Sequence, residues 1–137
     1  MPTSRTSSPR IAPLNSTGST AAVIVTHNRV ELLRASLEQV VGQTHPVQWV
    51  IVVDNGADKA VKQLVDDLAG ERAVYVPSQT NLGGAGGFAL GFLTALSLGA
   101  DAIWCADDDG RPADETVLKE LYRVAEANKL HEVSPAV

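Results

Sequence analysis

Several features are scarce or absent in this sequence, and each absence excludes a class of protein. There is one cysteine, Cys105, so no internal disulfide can form and nothing indicates an oxidising compartment. No apolar run reaches the roughly 18 residues that a membrane-spanning helix needs. Basic residues are outnumbered, and a formal net charge of −5 disfavours attraction to nucleic acid phosphates. We therefore expect a cytoplasmic protein with no nucleic acid partner, for which peripheral contact with the inner face of the plasma membrane stays open.

The first twenty residues lack acids and have few apolar side chains. They contain nine Ser or Thr, three Pro and two Arg, a composition that predicts a disordered tail over residues 1–20. A targeting peptide is the less favoured alternative, because no apolar stretch of signal-peptide length follows the two arginines. The remaining residues, 21–137, have the length and the mixed composition of one globular domain.

From residue 21 onward, short β-branched runs alternate with longer segments at helical spacing. This alternation predicts an α/β fold of the Rossmann-like type, with four βα units around a mainly parallel sheet. The predicted strands are 21–26, 49–53, 73–76 and 102–106. The first predicted helix runs from about residue 29 and ends at Gly42, the second carries apolar residues from Val61 to Leu68 and ends before Gly70, and the last two cover about 86–98 and 114–128. Cys105 lies among the apolar residues Ile103, Trp104 and Ala106, which predicts a buried thiol within the fourth strand.

Polar residues follow all four predicted strands. They are Thr26 to Arg29, Asp54 to Gly56, Gln79 to Asn81, and Asp107 to Asp109. Ligands of open parallel sheets bind beyond the carboxyl ends of the strands, so these residues are candidates for one site. The simpler alternative is that loops are polar and that Asn28, Asp54 and Asp114 cap helices.

Three consecutive carboxylates follow the fourth strand. Their mutual repulsion is costly unless a cation offsets it, and a hard divalent ion such as Mg²⁺ or Mn²⁺ is the natural partner. Because alternate residues of an extended segment point the same way, Asp107 and Asp109 are predicted to face one ion while Asp108 turns away. Such an ion usually shares phosphate oxygens, which indicates a phosphorylated substrate. The alternative is a solvated acidic turn with Gly110 and Pro112.

A glycine-rich segment, NLGGAGGF at residues 81–88, precedes the third predicted helix. Glycines let backbone N–H groups approach a ligand closely. Gly84, Gly86 and Ala89 match a dinucleotide-binding fingerprint only weakly, because Pro77 and a spacer separate them from the strand. A helix-opening turn beside a sugar or ribose fits better, and close packing of an apolar helix on the sheet is the alternative.

Four segments together resemble the donor-binding half of family 2 glycosyltransferases of the GT-A fold. They are VIVTHNR (23–29), IVVDN (51–55), NLGGAGGF (81–88) and ADDDG (106–110). The third and fourth most resemble bacterial galactofuranosyltransferases of arabinogalactan synthesis, which act on a polyprenyl-diphosphate-linked glycan. The resemblance covers residues 21–128, essentially all of the predicted ordered chain.

The resemblance implies a role for each matching residue. It assigns Thr26, Asn28 and Arg29 to the nucleotide pocket, Asp54 to the uracil or ribose, Asn81, Gly83 and Gly84 to the ribose and diphosphate, Asp107 to ribose or metal, and Asp109 to the metal. His27 stands where relatives often carry an aromatic residue, so base stacking is not carried over to it.

The implied reaction is an inverting displacement at the anomeric carbon of a UDP-sugar, with Mn²⁺ or Mg²⁺ stabilising the departing UDP. The family places the general base in a second, acceptor-binding half. We therefore expect 21–137 to be a donor domain truncated before that half, which binds the donor without transferring sugar and which self-associates through uncovered apolar surface.

Two alternatives come from other classes of protein. A haloacid-dehalogenase-like phosphatase would use Asp107 as nucleophile with Asp109 and Gly110, but that motif normally follows the first strand of its fold. A nucleotide-binding module without catalysis is the second alternative.

Overall fold

Four parallel strands form one sheet in the order β3-β2-β1-β4. The computed structural model describes residues 12–108, 112 and 114–134. Its elements are β1 (Thr20–Thr26), α1 (Val30–Val41), β2 (Trp49–Asp54), α2 (Lys59–Ala69), a 3-10 turn (Gly70–Arg72), β3 (Ala73–Pro77), α3 (Gly83–Ser97), β4 (Ala102–Asp107) and α4 (Val117–Asn128). The predicted α/β fold with four βα units is confirmed, although α3 and α4 each begin three residues away from their predicted starts.

The two central strands are apolar on both faces because helices cover both sides of the sheet. Ala22 and Ile24 of β1 point into a larger core shared with α1, α2 and α4, whereas Ala21 and Val23 point into a smaller core beneath α3. This alternation follows from the two-residue period of a strand, and it explains why β1 and β2 read as continuous apolar runs.

Two glycines bring α3 unusually close to the sheet. A Cβ added to Gly87 would lie 2.6 Å from Cγ1 of Val25, and one added to Gly91 would lie 2.3 Å from Cγ1 of Val23. No side chain fits at these distances, so helix packing accounts for part of the glycine-rich segment. Gly83 and Gly84, at the start of the helix, have no atom within 4 Å of such a Cβ, so packing does not account for them.

The outer face of α3 is apolar. No charged residue occurs between Arg72 and Asp101, and Leu93 and Leu96 are about two-thirds exposed, at 65 % and 64 %. Among the described residues, no helix has both the length and the apolar character needed to cross a membrane.

Cys105 is exposed, so the prediction of a buried thiol is wrong. The reason is the position of β4, which pairs with β1 at the end of the strand order. Cys105 lies beside Val23 in register, on the face that α3 covers, but α3 packs mainly over β1 and β2. An apolar run therefore predicted the strand correctly without revealing that the strand lies at an edge.

Residues 12–20 are packed against the domain, which corrects the predicted extent of the tail. Leu14 N donates to the carbonyl oxygen of Leu130 at 2.8 Å, and Ser16 N and Oγ both donate to the Glu126 carboxylate at 3.0 Å. Thr20 is the first residue of β1. The rest of the predicted tail, residues 1–11, lies outside the described residues.

Candidate functional site

One cleft of about 350 Å³ opens at the carboxyl ends of β1 and β4, beside the start of α3. Its lining comprises Val25, Thr26, His27, Arg29, Asn55, Asn81, Gly83, Gly84, Phe88, Asp107 and Asp108. Six of the predicted site residues meet here: Thr26, Arg29, Asn81, Gly83, Gly84 and Asp107. Asn28 and Asp54 are not in the lining, and Asp109 lies outside the described residues.

A second cavity of about 320 Å³ lies between β4 and α4 and is lined mainly by apolar side chains such as Leu96, Ile103 and Leu118. None of the predicted site residues borders it. Of these two cavities, the strand-end cleft is therefore the one that contains predicted site residues.

Asp108 ties the end of β4 to the end of β1. Thr26 Oγ1 donates to Asp108 Oδ2 at 3.0 Å, and Arg29 Nη1 lies 3.5 Å from Asp108 Oδ1. The Asp108 side chain is mostly buried in the cleft wall. The sequence analysis predicted that Asp108 turns away from the ligand that Asp107 faces, but Asp108 lines the same cleft as Asp107 and contacts Thr26 and Arg29 there, a contact that the sequence did not reveal. The parallel register of Val25 with Asp107 brings Thr26 alongside Asp108.

Asp107 is exposed to the cleft. Its backbone oxygen accepts a hydrogen bond from Ser36 Oγ at 2.6 Å, which fixes the end of the strand to α1. Among the described residues, no side chain forms a hydrogen bond or an ion pair with its carboxylate. A free carboxylate in a cleft suits a hard divalent cation. No group of three or more possible metal ligands occurs among the described residues, and Asp109, the predicted second ligand, is outside them.

Asp54 is fully buried, and its carboxylate is held by three donors. Gly56 N donates to Oδ1 at 2.9 Å, while Asp58 N and the Tyr75 hydroxyl donate to Oδ2 at 2.8 and 2.6 Å. Burial and the hydrogen bond to Asp54 raise the pKa of Tyr75 well above its usual value. The alternative prediction, that Asp54 caps a helix, is wrong for α2. Its N-cap is Asp58, whose side chain accepts from Ala60 N at 2.8 Å.

Asn55, the next residue, does line the cleft. Its Oδ1 accepts from Leu82 N at 3.2 Å, its Nδ2 donates to the oxygen of Gly83 at 3.3 Å, and its backbone N donates to the oxygen of Thr26 at 2.9 Å. Asn55 thus joins the ends of β1 and β2 to the start of α3. Sequence reasoning noted it only as a strand-end polar residue. Successive residues of a strand point in opposite directions, and that alternation was the available signal.

The turn after β1 carries His27 and Asn28. Asn28 has left-handed backbone geometry, with φ 55°, and its Oδ1 would lie 2.5 Å from a Cβ on Gly56. It therefore packs against the turn after β2. His27 lines the cleft, with Nδ1 3.5 Å from Nδ2 of Asn81.

Gly83 and Gly84 form the cleft wall at the start of α3. Gly83 has φ 72°, a conformation that favours glycine, and Asn81 Oδ1 accepts its N–H at 2.9 Å. Neither glycine faces another atom where a Cβ would stand. Their lack of side chains therefore leaves the helix start open to a ligand.

The polar cleft lies beyond the carboxyl ends of a parallel sheet with helices on both faces, which is where open α/β domains bind their ligands. Residues 21–136 match the model of the protein family described as "Glycosyl transferase family 2". The chain therefore belongs to glycosyltransferase family 2. This membership removes the phosphatase alternative, whose motif normally follows the first strand of its fold, whereas Asp107 ends the fourth strand of this chain.

Two curated relatives are similar to this chain over most of its length. It is 56 % identical over 116 residues to galactofuranosyltransferase GlfT1 of Mycolicibacterium smegmatis, covering 85 % of this chain and 38 % of the relative. It is 49 % identical over 125 residues to galactofuranosyltransferase GlfT1 of Mycobacterium tuberculosis, covering 88 % and 40 %. The chain thus spans about two fifths of the length of these relatives.

Two solved structures are similar in fold. S. aureus TarS, residues 1–349, superposes with a TM-score of 0.62 at 21 % identity, covering 80 % of this chain and 32 % of that one. The mannosyltransferase PcManGT from Pyrobaculum calidifontis, solved in complex with GDP-Man and Mn²⁺, gives 0.57 at 20 % identity, covering 92 % and 36 %. These similarities confirm the predicted GT-A type of fold.

Proposed function

We propose that this chain is the donor-binding domain of an inverting, metal-dependent galactofuranosyltransferase. In this proposal the domain binds UDP-galactofuranose, the sugar donor. The enzyme of which it is the donor-binding domain transfers the sugar to a polyprenyl-diphosphate-linked glycan of arabinogalactan. The observation that carries the proposal is the strand-end cleft, in which six predicted donor-site residues meet. The 56 % identity to a relative named galactofuranosyltransferase supports the choice of sugar.

Two walls of the cleft have different tasks in this proposal. Thr26 and Arg29, at the end of β1, border the nucleotide, and Asn81, Gly83 and Gly84 border the ribose and diphosphate. Asn28 and Asp54 act from behind the wall, because neither lines the cleft and Asp54 is fully buried.

The divalent cation is proposed to bind Asp107 together with Asp109. Asp107 fits this role because its carboxylate is exposed in the cleft and unpaired among the described residues. Asp108 does not, because Thr26 and Arg29 already occupy it. When bound, Mn²⁺ or Mg²⁺ would stabilise the charge on the departing diphosphate.

The chain by itself is proposed to bind the donor without transferring sugar. Deprotonation of an acceptor hydroxyl requires a general base. In the described part of the cleft the carboxylates are Asp107 and Asp108, one assigned to the cation and the other held in the wall. Neither is left for the acceptor.

Cytoplasmic location at the inner face of the plasma membrane is part of the proposal, because a polyprenyl-linked acceptor is anchored in the bilayer. Self-association is part of it as well. The exposed leucines of α3 support it, since apolar side chains grouped on one helix favour contact with another protein surface.

Calorimetric titration with UDP, with and without Mn²⁺, tests the donor site. We expect Mn²⁺-dependent binding that Asp107→Ala and Asp109→Ala each abolish. Asp67→Ala, which removes an exposed acid from α2, is the control and should bind like the wild type. Absence of UDP binding by the folded wild type would contradict the donor site. Sugar transfer by the chain alone would contradict the proposed lack of catalysis.

A further inference from the structure

Tyr75 lies on β3, outside the cleft, yet it is connected to the cleft wall. Its hydroxyl donates to Oδ2 of Asp54 at 2.6 Å and lies 3.4 Å from the backbone oxygen of Asp58. β3 is the strand farthest from β4 in the sheet order. The Tyr75 hydroxyl therefore cannot act on a ligand at Asp107 except through other residues.

The first link is the buried carboxylate of Asp54. Besides Tyr75 it accepts from the backbone N–H groups of Gly56 and Asp58, and so it fixes both sides of the turn after β2. Ala57, inside that turn, has φ 47°, a left-handed conformation that a side chain-bearing residue adopts only when its surroundings hold it. Without the Tyr75 hydroxyl, one of the three donors to Asp54 would be lost.

The second link is Asn55, which lies between Asp54 and the held turn. Its side chain accepts from Leu82 N and donates to the oxygen of Gly83, so it sets where α3 begins relative to β2. Gly83 and Gly84 form the cleft wall, and Asn55 itself lines the cleft. A small displacement of Asn55 would therefore move the wall that faces the ligand.

We propose that the hydroxyl of Tyr75 is a positioning group for the nucleotide cleft: by holding Asp54, it orients Asn55 and thereby the glycine turn that opens α3. This inference rests on the proposed function, because it takes a nucleoside diphosphate as the ligand of the cleft. Tyr75 itself does not touch the ligand. It affects the affinity of the cleft for the nucleoside diphosphate through the side chains of Asp54 and Asn55.

Tyr122 provides a matched control. Its hydroxyl also forms a short hydrogen bond, 2.6 Å from Thr20 Oγ1, and it is the more deeply buried of the two tyrosines. Tyr122 lies on α4, next to the first residue of β1 and hence at the opposite end of that strand from the cleft. Tyr122→Phe therefore removes a comparable hydroxyl without touching the cleft wall.

The test titrates UDP in the presence of Mn²⁺ into the wild type, Tyr75→Phe and Tyr122→Phe. We expect Tyr75→Phe to raise the Kd about tenfold, because the cleft wall shifts out of the position that fits the ligand, and Tyr122→Phe to leave it unchanged. Equal affinities for the two variants, whatever their unfolding temperatures, would overturn the proposal.

A double-mutant cycle identifies the route. If Tyr75 acts through Asn55, Tyr75→Phe should weaken binding little further once Asn55→Ala is present. Fully additive losses would overturn this route.

A readout without ligand separates the inference from the proposed function. In NMR spectra of the free protein, the backbone amides of Leu82 and Gly83 should shift in Tyr75→Phe and stay in place in Tyr122→Phe. If the wild type fails to bind UDP, the proposed function fails while these shifts still decide whether Tyr75 positions the wall. Unchanged Leu82 and Gly83 amides in Tyr75→Phe would overturn the positioning role.

Discussion

The ends of β2 and β4 carry the same residue type in the same place, and the structure uses them in opposite ways. Asp54 ends β2 fully buried, with three hydrogen-bond donors on its carboxylate. Asp107 ends β4 exposed in the cleft, with no described side chain bonded to its carboxylate. An aspartate at the end of a parallel strand is therefore not a ligand-binding group by position alone. Its role depends on whether hydrogen-bond donors of the protein already satisfy its carboxylate, as the following turn and Tyr75 do for Asp54.

The same contrast exists among the glycines of α3. Gly87 and Gly91 face valines of β1 at distances that admit no side chain, whereas Gly83 and Gly84 face open space. One end of the segment serves packing, and the other leaves room for a ligand. Both interpretations of the glycine-rich sequence therefore apply, each to its own residues.

The largest expected difference in stability is between two alanine substitutions, Asp54→Ala and Asp107→Ala. Asp54→Ala leaves Gly56 N, Asp58 N and the Tyr75 hydroxyl without their acceptor, so we expect the free energy of unfolding to fall by about 3 kcal/mol or more. Asp107→Ala should change it by less than about 0.5 kcal/mol, because its carboxylate is exposed. Urea unfolding measures both, and a larger loss in Asp107→Ala than in Asp54→Ala would contradict the contrast.

A smaller effect is expected from the glycines. Gly91→Ala forces a Cβ against Val23 and should destabilise the domain by about 1–3 kcal/mol. Gly84→Ala places its Cβ in open space within a helix and should stabilise it by about 0.5–1 kcal/mol. Gly84→Ala should nevertheless weaken UDP binding, because the added methyl group enters the cleft. Thermal unfolding and UDP titration check the pair, and two destabilised variants would refute the distinction.

The hydrogen bond between Tyr75 and Asp54 should also make the stability of the domain sensitive to alkaline pH. Burial, followed by the hydrogen bond and charge of Asp54, raises the pKa of Tyr75 in the folded state. The unfolded chain then releases this proton at lower pH than the folded one, so stability is intact below about pH 10 and falls as pH rises above it. Tyr75→Phe should lose less stability than the wild type between about pH 9.5 and pH 11 in urea unfolding. Equal losses would mean that Tyr75 ionises in the folded state as easily as in the unfolded state.

The smallest effect on folding is expected at the open surface of α3. Leu93→Glu should alter the free energy of unfolding by less than about 0.5 kcal/mol, because this side chain is already 65 % exposed. It should abolish concentration-dependent association in sedimentation velocity. Leu32→Glu, at a half-exposed leucine of α1, is the control and should associate like the wild type. A wild type that stays at 14.4 kDa at all concentrations would contradict self-association.

Much of this arrangement could be predicted from local sequence. The alternation of strand and helix patterns gave the number and order of the βα units, because periodicity records which faces are buried. Thr26, Arg29, Asn81, Gly83, Gly84 and Asp107 were expected in one site, and the cleft brings them together.

The remainder depends on contacts between distant segments. One of the three hydrogen bonds that hold the Asp54 carboxylate comes from the hydroxyl of Tyr75, 21 residues farther along the chain. No local sequence pattern predicts that partner. The exposure of Cys105 depends on which strand lies at the edge of the sheet, and strand order is not encoded in a strand's own composition. The role of Asp108 depends likewise on the register between β1 and β4.

Paramagnetic broadening by Mn²⁺ in the presence of UDP tests the contrast between the two strand ends most directly. If Asp107 holds the ion, the amide signals of His27, Asp107 and Asp108 should broaden first as Mn²⁺ is added, and those of Gly56 and Ala57, two strands away after β2, should broaden less at the same Mn²⁺ concentration. Broadening that is centred on Gly56 and Ala57, or that is absent around Asp107, would contradict the assignment of the open aspartate to the ligand.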